Sequence, residues 1–547
     1  MLRKAIVTLL LSSSIGFSYG QPSSINPGQR PKLVVGIIVD QMRQEYLLRF
    51  YDKFGEGGFK RLMKQGFMAR NAHYNYIPTY TGPGHASVYT GATPAMHGII
   101  ANDWYSRELK RYVYCAEDTT VTAVGGSESS GQISPRNLMS TTITDQLKMA
   151  TQGRAKVIGV SIKDRGSALP AGHRADGAYW FDSKTGEMMT STFYVNELPD
   201  WVNAFNAQKL PAQYLGQTWS TLLPIEQYTA SMEDDNDYEV VLPKKEAPVF
   251  PYDLKKLNEG ATNFGLLSVT PFGNSLVLDF AKAALEAEQM GQDGTTDFLA
   301  VSFSSTDYVG HSFGAQSVEL EDTYLRLDRE LSGFLNLLDE QVGENEYLLF
   351  LTADHAVVDV PKLLVDANLP GGYLEVSKIA KVIAQDMKST FGEGEWIENA
   401  NSEIVLDHEL IKKEGKDLRE MQRYVAEQLL AHQGIKETFT AADMRENEYT
   451  RGQRRLLQMG YNFQRSGDVL YATEPGYLNS GRSRGTSHGT GYNYDTHVPM
   501  LFYGWGIKPG STVAYQSITN IAPTLSMLLN IMLPDGATGQ PVEEVFE

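Results

Sequence analysis

Leu33-Val-Val-Gly-Ile-Ile-Val39, running into Asp40, decides the class of fold. Seven apolar residues in a row read as a parallel strand covered on both faces, because a strand with one wet face would alternate. Lys156–Ile162 (KVIGVSI), Phe298–Phe303 (FLAVSF), Tyr347–Leu351 (YLLFL) and Val498–Tyr503 (VPMLFY) read the same way. Helical stretches lie between them, over Glu45–Lys64, Val318–Leu338 and Ile518–Ile531, the last expected to be interrupted at Pro523. Strands alternating with helices predict an α/β fold with a mostly parallel central sheet flanked by helices. Residues 195–265 and 370–478 break the rhythm and are expected to be insertions capping one edge of the sheet. The first contains the acidic run Glu233-Asp-Asp-Asn-Asp237, which lacks the glycine and distant glutamate of a calcium loop and reads as solvated. The second has its clearest helix at Asp417–His432.

The chain has 547 residues, 42% hydrophobic and 21% charged, with a formal charge of −18. That is a globular composition, and the acidity argues against a nucleic-acid scaffold role. The single cysteine, Cys115, excludes an internal disulfide framework and a cysteine-rich zinc module. At the N-terminus, Arg3-Lys4 precede the apolar run Ala5–Leu11 and the small residues Ser18 and Gly20. This order predicts a signal peptide over residues 1–20, cleaved on export to the periplasm or medium. The run is far shorter than the ~20 residues of a membrane span.

Three of the apolar strands end in residues that bind metals. The first meets Asp40, the Phe298 strand meets Asp307 with His311 four residues on, and the Tyr347 strand meets Asp354-His355. In open α/β sheets ligands sit beyond the carboxyl ends of the strands. His488, in a glycine-rich stretch before the last strand, completes three carboxylates and three imidazoles. With no thiolate, that set suits catalytic zinc or manganese, and six ligands suit two ions with open positions, as in phosphoryl transfer. Thr81, just before Gly82-Pro-Gly84, is the candidate nucleophile at a helix N-terminus, and Thr79 is the rival hydroxyl. Asn102 could donate its amide to a phosphate oxygen. Lys163 and Arg165 would share one face if the extended chain continued past Ile162, forming a clamp for a dianion.

These motifs together resemble the alkaline phosphatase superfamily, and within it the bacterial secreted phosphomonoesterases with a threonine nucleophile. The residues carrying the resemblance are Asp40, Thr81-Gly-Pro-Gly-His85, Pro94-Ala-Met-His97-Gly98 with Asn102, and Lys163-Asp-Arg165-Gly166. They continue with Asp307-Tyr-Val-Gly-His311, Asp354-His355, His488-Gly and Thr519-Asn-Ile-Ala-Pro-Thr-Leu525. The resemblance implies a catalytic domain over residues 31–547 and two Zn2+ per chain, one held by Asp307, His311 and His488, the other by Asp40, Asp354 and His355. It implies that Thr81 attacks, giving a phosphothreonine, while Asn102, Lys163 and Arg165 hold the phosphoryl oxygens. Phosphate monoesters are the implied substrates, with inorganic phosphate as product and inhibitor. A phosphodiesterase or nucleotide pyrophosphatase of the same superfamily is the enzyme alternative. A phosphomutase or transferase on this fold is another, and a non-catalytic zinc- or phosphate-binding surface protein is the alternative from another class. His85, His97 and His497 match no ligand position and are expected to be structural.

Overall fold

The computed structural model describes residues 30–546, so the signal-peptide expectation lies outside the described residues. The central sheet is built from β1 (Leu33–Val39), β2 (Phe67–Ala69), β3 (Ala123–Val124), β4 (Val157–Ser161) and β5 (Gly177–Asp182), followed by five later strands. These are β6 (Glu187–Ser191), β7 (Asp297–Phe303), β8 (Tyr347–Thr352), β9 (Met500–Gly504) and β10 (Gly510–Thr512). Their order across the sheet is β10-β2-β9-β8-β1-β7-β4-β5-β6-β3. The five central strands, β8 to β5, run parallel, and β9 and β6 close them off antiparallel on either side. The apolar runs occupy the middle because both faces there are covered: every residue of β1, β7 and β8 is buried.

Register sets the level of the site. Val39 pairs with Phe303 and Ile38 with Thr352, so β1, β7 and β8 end together, and Asp40 N–H still bonds Phe303 O at 2.9 Å. From there the chain turns into helices: α1 (Thr81–Thr90) lies against the end of β8, α2 (Asp164–Ala171) follows β4, and α3 (Ser305–Phe313) follows β7. The long α4 (Val318–Leu338) has the bounds its periodicity predicts.

Three local expectations are corrected. Glu45–Lys64 is not one helix but three short pieces, because Gly55–Gly58 turns onto Asp328, whose carboxylate accepts from Gly55 N–H and Phe59 N–H at 2.7 and 2.8 Å. Val498–Tyr503 is split at Pro499, which cannot donate to a ladder. Pro523 does not interrupt the last helix: it lies in the first turn of Ile521–Leu529, where no intrahelical donor is lost.

Residues 195–265 pack on α4, fixed by Trp219 Nε1 and Tyr228 OH, which donate to the two oxygens of Asp322 at 2.7 and 2.5 Å. The acidic run is only partly solvated: Glu233, Asp235 and Asp237 are exposed, but Asp234 turns inward to accept from Phe250 N–H at 2.9 Å. Beyond it Glu239 is buried near Glu319 of α4. Residues 397–473 carry a separate four-stranded sheet of Ile397–Ala400, Ile404–Leu406, Val469–Thr473 and Ile435–Thr440. Helices Val376–Phe391 and Leu418–Leu430 cover it with a small core of their own.

Two consequences are testable. Gly84 faces the end of β8 so closely that a Cβ there would lie 2.2 Å from the Asp354 carbonyl oxygen. Backbone cannot yield as a side chain does, so Gly84→Ala should push α1 off β8, lowering the melting temperature and most of any activity together. Retention of both would refute this packing. Burial and the charge of Glu319 push the Glu239 carboxyl up to about 10, and burial pushes Glu319 up to about 8. A raised folded-state pKa gives stability that is full below the unfolded value and is lost as pH rises toward the folded one. Glu239→Gln, which keeps the acceptor for Asn236, should therefore melt higher than wild type by a margin that widens from about pH 6 to about pH 9 and vanishes at acid pH. Scanning calorimetry across that range would show it, and a margin independent of pH would contradict the assignment.

Candidate active site

The strand ends bring the six predicted ligands into two adjoining groups. Asp307 and His311 lie one turn apart on α3, with His311 Nε2 3.1 Å from Asp307 Oδ1. His488 Nε2 comes to 3.7 Å from the same oxygen, making one compact group of Asp307, His311 and His488. In the second group, His355 Nε2 lies 3.4 Å from Asp40 Oδ1 and 3.6 Å from Asp354 Oδ2. Asp307 also approaches Asp40 and His355 closely enough to count with them, so it faces both groups.

The donors are prepared for a cation. Each imidazole has its Nδ1 tied to a backbone carbonyl: His311 to Thr486 at 2.8 Å, His355 to Ala356 at 3.0 Å, His488 to Thr79 at 2.7 Å. That turns every Nε2 toward the carboxylates, His355 Nε2 without a partner and His311 Nε2 against Asp307, the arrangement that orients metal-binding histidines. Asp40 Oδ1, Asp354 Oδ2 and His355 Nε2 are buried with no hydrogen-bond partner, yet face one another. Three such orphaned donors are costly unless a positive charge satisfies them, so these residues fit a divalent metal ion.

Electrostatics point the same way. Burial, then Asp307 and Asp354, push the Asp40 carboxyl well above its ordinary range. Burial pushes Asp354 up to about 6. Asp307 is instead held well below its ordinary range: burial opposes ionisation, but His311 and Lys163 overcome it. Burial drives His355 down to about 3 and His488 well below its usual value, which keeps both rings neutral, as ligation requires.

Thr81 is the first residue of α1 rather than its cap: Tyr80 holds the cap position with extended backbone. Thr81 O accepts from His85 Nδ1 at 2.9 Å, and that nitrogen is 3.4 Å from Asp354 Oδ2, so the helix start is fastened to the second group. Thr79 is committed elsewhere, its hydroxyl donating to Thr490 O at 2.9 Å. Asn102 Oδ1 accepts from Gly82 N–H at 2.7 Å, which turns its amide nitrogen toward other partners.

Lys163 and Arg165 do not share a strand face. The extended chain stops at Lys163, which caps α2, and Arg165 lies in the first helical turn. Lys163 Nζ donates to Asp40 Oδ2 at 2.7 Å and Asp307 Oδ2 at 2.6 Å, one carboxylate from each group, above the Tyr308 ring. Arg165 Nη1 donates to Tyr114 OH at 3.1 Å, while its Nε is buried without an acceptor. His85 also reaches Ser302, and His97 bonds Ser87, both structural contacts. His497 stacks on His73 away from the ligands.

Gln41 escaped sequence reasoning. It donates through Nε2 to Asp307 Oδ1 at 2.6 Å and through N–H to Asp354 Oδ1 at 3.2 Å, with φ at 68°. A neutral side chain after Asp40 gives no signal of its own. Asp495 escaped too: it accepts from Gly489 and Thr490 N–H at 3.1 and 2.8 Å and so fixes the His488 loop.

The family model described as type I phosphodiesterase / nucleotide pyrophosphatase matches residues 34–497. The chain is 46% identical over 524 residues to alkaline phosphatase PafA of Elizabethkingia meningoseptica, 95% of each chain being covered. It is 46% identical over 521 residues to alkaline phosphatase PhoV of Synechococcus elongatus, covering 95% of this chain and 93% of that one. A protein of Myroides odoratus named calcium-transporting ATPase is 44% identical over 523 residues, again 95% of each. The crystal structure of wild-type PafA matches this fold with a TM-score of 0.92, over 95% of this chain and 99% of that one. The family model and the similarity over 95% of the chain agree, and the chain belongs to the type I phosphodiesterase / nucleotide pyrophosphatase family within the alkaline phosphatase superfamily.

Proposed function

We propose that the chain is an alkaline phosphatase that hydrolyses phosphate monoesters through a phosphothreonine on Thr81. The activity follows the alkaline phosphatases it matches over 95% of its length. The observation that carries the mechanism is the pair of ligand groups facing Asp307 beside the helix start that bears Thr81. Asp307, His311 and His488 would hold one ion and Asp40, Asp354 and His355 the other, with zinc favoured because half the donors are imidazole. Two such ions, when bound, supply Lewis acidity and lower the pKa of a neighbouring hydroxyl or water.

The chain's own residues supply the rest. Thr81 attacks phosphorus in line with the departing oxygen, and its place at the start of α1 puts backbone N–H groups on the incoming anion. Asn102, oriented by Gly82 N–H, donates to one phosphoryl oxygen. Lys163, centred between the two groups, and Arg165, with its unused Nε, complement the second negative charge that a monoester has and a diester lacks. Water then attacks the phosphorus and breaks the Thr81 Oγ–P bond, and inorganic phosphate leaves as product and competes for the same donors. No helix among the described residues is long and apolar enough to cross a membrane, and the N-terminal pattern supports export of the cleaved chain.

Thr81→Ala should take up two equivalents of zinc, counted by elemental analysis, yet release almost no phosphate from p-nitrophenyl phosphate. Thr81→Ser should recover part of the rate and Thr79→Ala should lose little. Full activity in Thr81→Ala would exclude this nucleophile. Replacing both Lys163 and Arg165 by Ala should cut monoester kcat/KM by about 10²-fold or more, the usual cost of removing a fixed donor to transition-state charge. Turnover of the methyl diester with the same leaving group should change little. Equal losses on the two esters would remove the basis for monoester selectivity.

A further inference from the structure

Residues 195–265 bring two acidic side chains onto the start of α4, where a third meets them. Asp234 belongs to the acidic run, Glu239 lies just beyond it, and Glu319 is in the first turn of α4. Glu239 and Glu319 are buried and Asp234 is half-buried. Each has one carboxylate oxygen fixed by a donor of the protein. Asp234 Oδ2 accepts from Phe250 N–H at 2.9 Å, Glu239 Oε1 from Asn236 Nδ2 at 2.7 Å, and Glu319 Oε1 from Tyr252 OH at 2.5 Å. The other oxygen of each, Asp234 Oδ1, Glu239 Oε2 and Glu319 Oε2, is buried and has no donor among the described residues.

The next acids along α4 are not left this way. Glu321 gives one oxygen to Lys53 Nζ and the other to Ser231 Oγ, and Asp322 is closed by Trp219, Tyr228 and Arg326. Lys245 is the cation whose charge reaches Asp234 and Glu319. Its ammonium, however, lies over the Tyr252 ring at 4.3 Å and donates to the Val249 and Pro251 carbonyls. Three carboxylates against one ammonium leave two negative charges uncompensated. The cost shows in Glu239 and Glu319, whose carboxyls burial, with the neighbouring carboxylates added, holds above their ordinary range.

We infer that Asp234, Glu239 and Glu319 hold a divalent cation of the calcium class, at a site that shares no residue with the catalytic ligands. The donors are all oxygen, with no imidazole or thiolate, which selects a hard ion over zinc. A cavity of about 10 Å³ beside Glu239, lined also by Asn236, Gln316 and Ser317, is room on the scale of one small body. The distant glutamate that the acidic run lacks in its own stretch of sequence is supplied by α4. The same loop braces two catalytic imidazoles. Val240 N–H donates at 2.8 Å to the carbonyl of Ser312, next to His311, and Tyr238 O accepts at 2.8 Å from Gly485 N–H, in the loop of His488. A cation here steadies the segment against which both are held.

Calorimetric titration of calcium chloride into the zinc-loaded protein at pH 8 should show one saturable site per chain, and calcium should raise the melting temperature. Glu239→Gln and Asp234→Asn should each weaken that binding by about tenfold or more, because affinity follows the number of charged ligands. In Glu239→Gln the loss is not a loss of fold, since without calcium that variant is expected to melt above wild type. Added calcium should reverse the order of the two. Absence of saturable calcium binding to the zinc-loaded wild type would overturn the inference, as would unchanged affinity in both variants. Calcium taken up by the zinc-free chain alone belongs to the catalytic ligands, and that result would overturn it as well.

Discussion

Three carboxylates held in the dry interior at the ends of parallel strands are the constraint on which this structure turns. Asp40, Asp307 and Asp354 are all buried, and that burial, with their mutual repulsion added, raises two of them above the ordinary range. Such a cluster persists only if positive charge is placed among it. Lys163 provides one such charge, touching Asp40 and Asp307 at once, and the imidazoles and orphaned oxygens around it are arranged for more. Assembling the fold and neutralising these carboxylates are therefore parts of one electrostatic problem.

The solution is rigid by construction. The imidazoles are fixed through Nδ1 by carbonyls of three separate segments, and Asp495 holds the His488 loop by its backbone. Gln41 spans Asp307 and Asp354 from a left-handed backbone position, linking α3 to the end of β8. Gly84 lets α1 approach the Asp354 carbonyl to a distance no side chain would allow. Each device is inconspicuous alone, yet together they fix the ligands before an ion or substrate arrives, which is the preorganisation that phosphoryl transfer depends on.

The two long excursions from the sheet do different work. Residues 195–265 are fastened to α4 through Asp322 and add to the main core. The inserted sheet has its own core and meets the central domain across an aromatic cleft next to Thr81.

The amino-acid sequence alone determined the parallel sheet, because unbroken apolar runs such as Leu33–Val39 have no other comfortable place than between two layers of helices. It also pointed to six candidate ligands, whose residue types and strand-end positions suit metal chemistry, and to Thr81 as candidate nucleophile through the Gly-Pro-Gly that follows. Tertiary structure alone decided that Asp307 faces both groups, since closeness between strands 264 residues apart in the chain leaves no local trace. It decided where the chain turns after Ile162, separating Lys163 and Arg165 into a helix cap and a helical turn. It also decided the parts of Gln41 and Asp495, because a hydrogen bond depends on where a side chain ends, and that is a property of packing rather than of residue type.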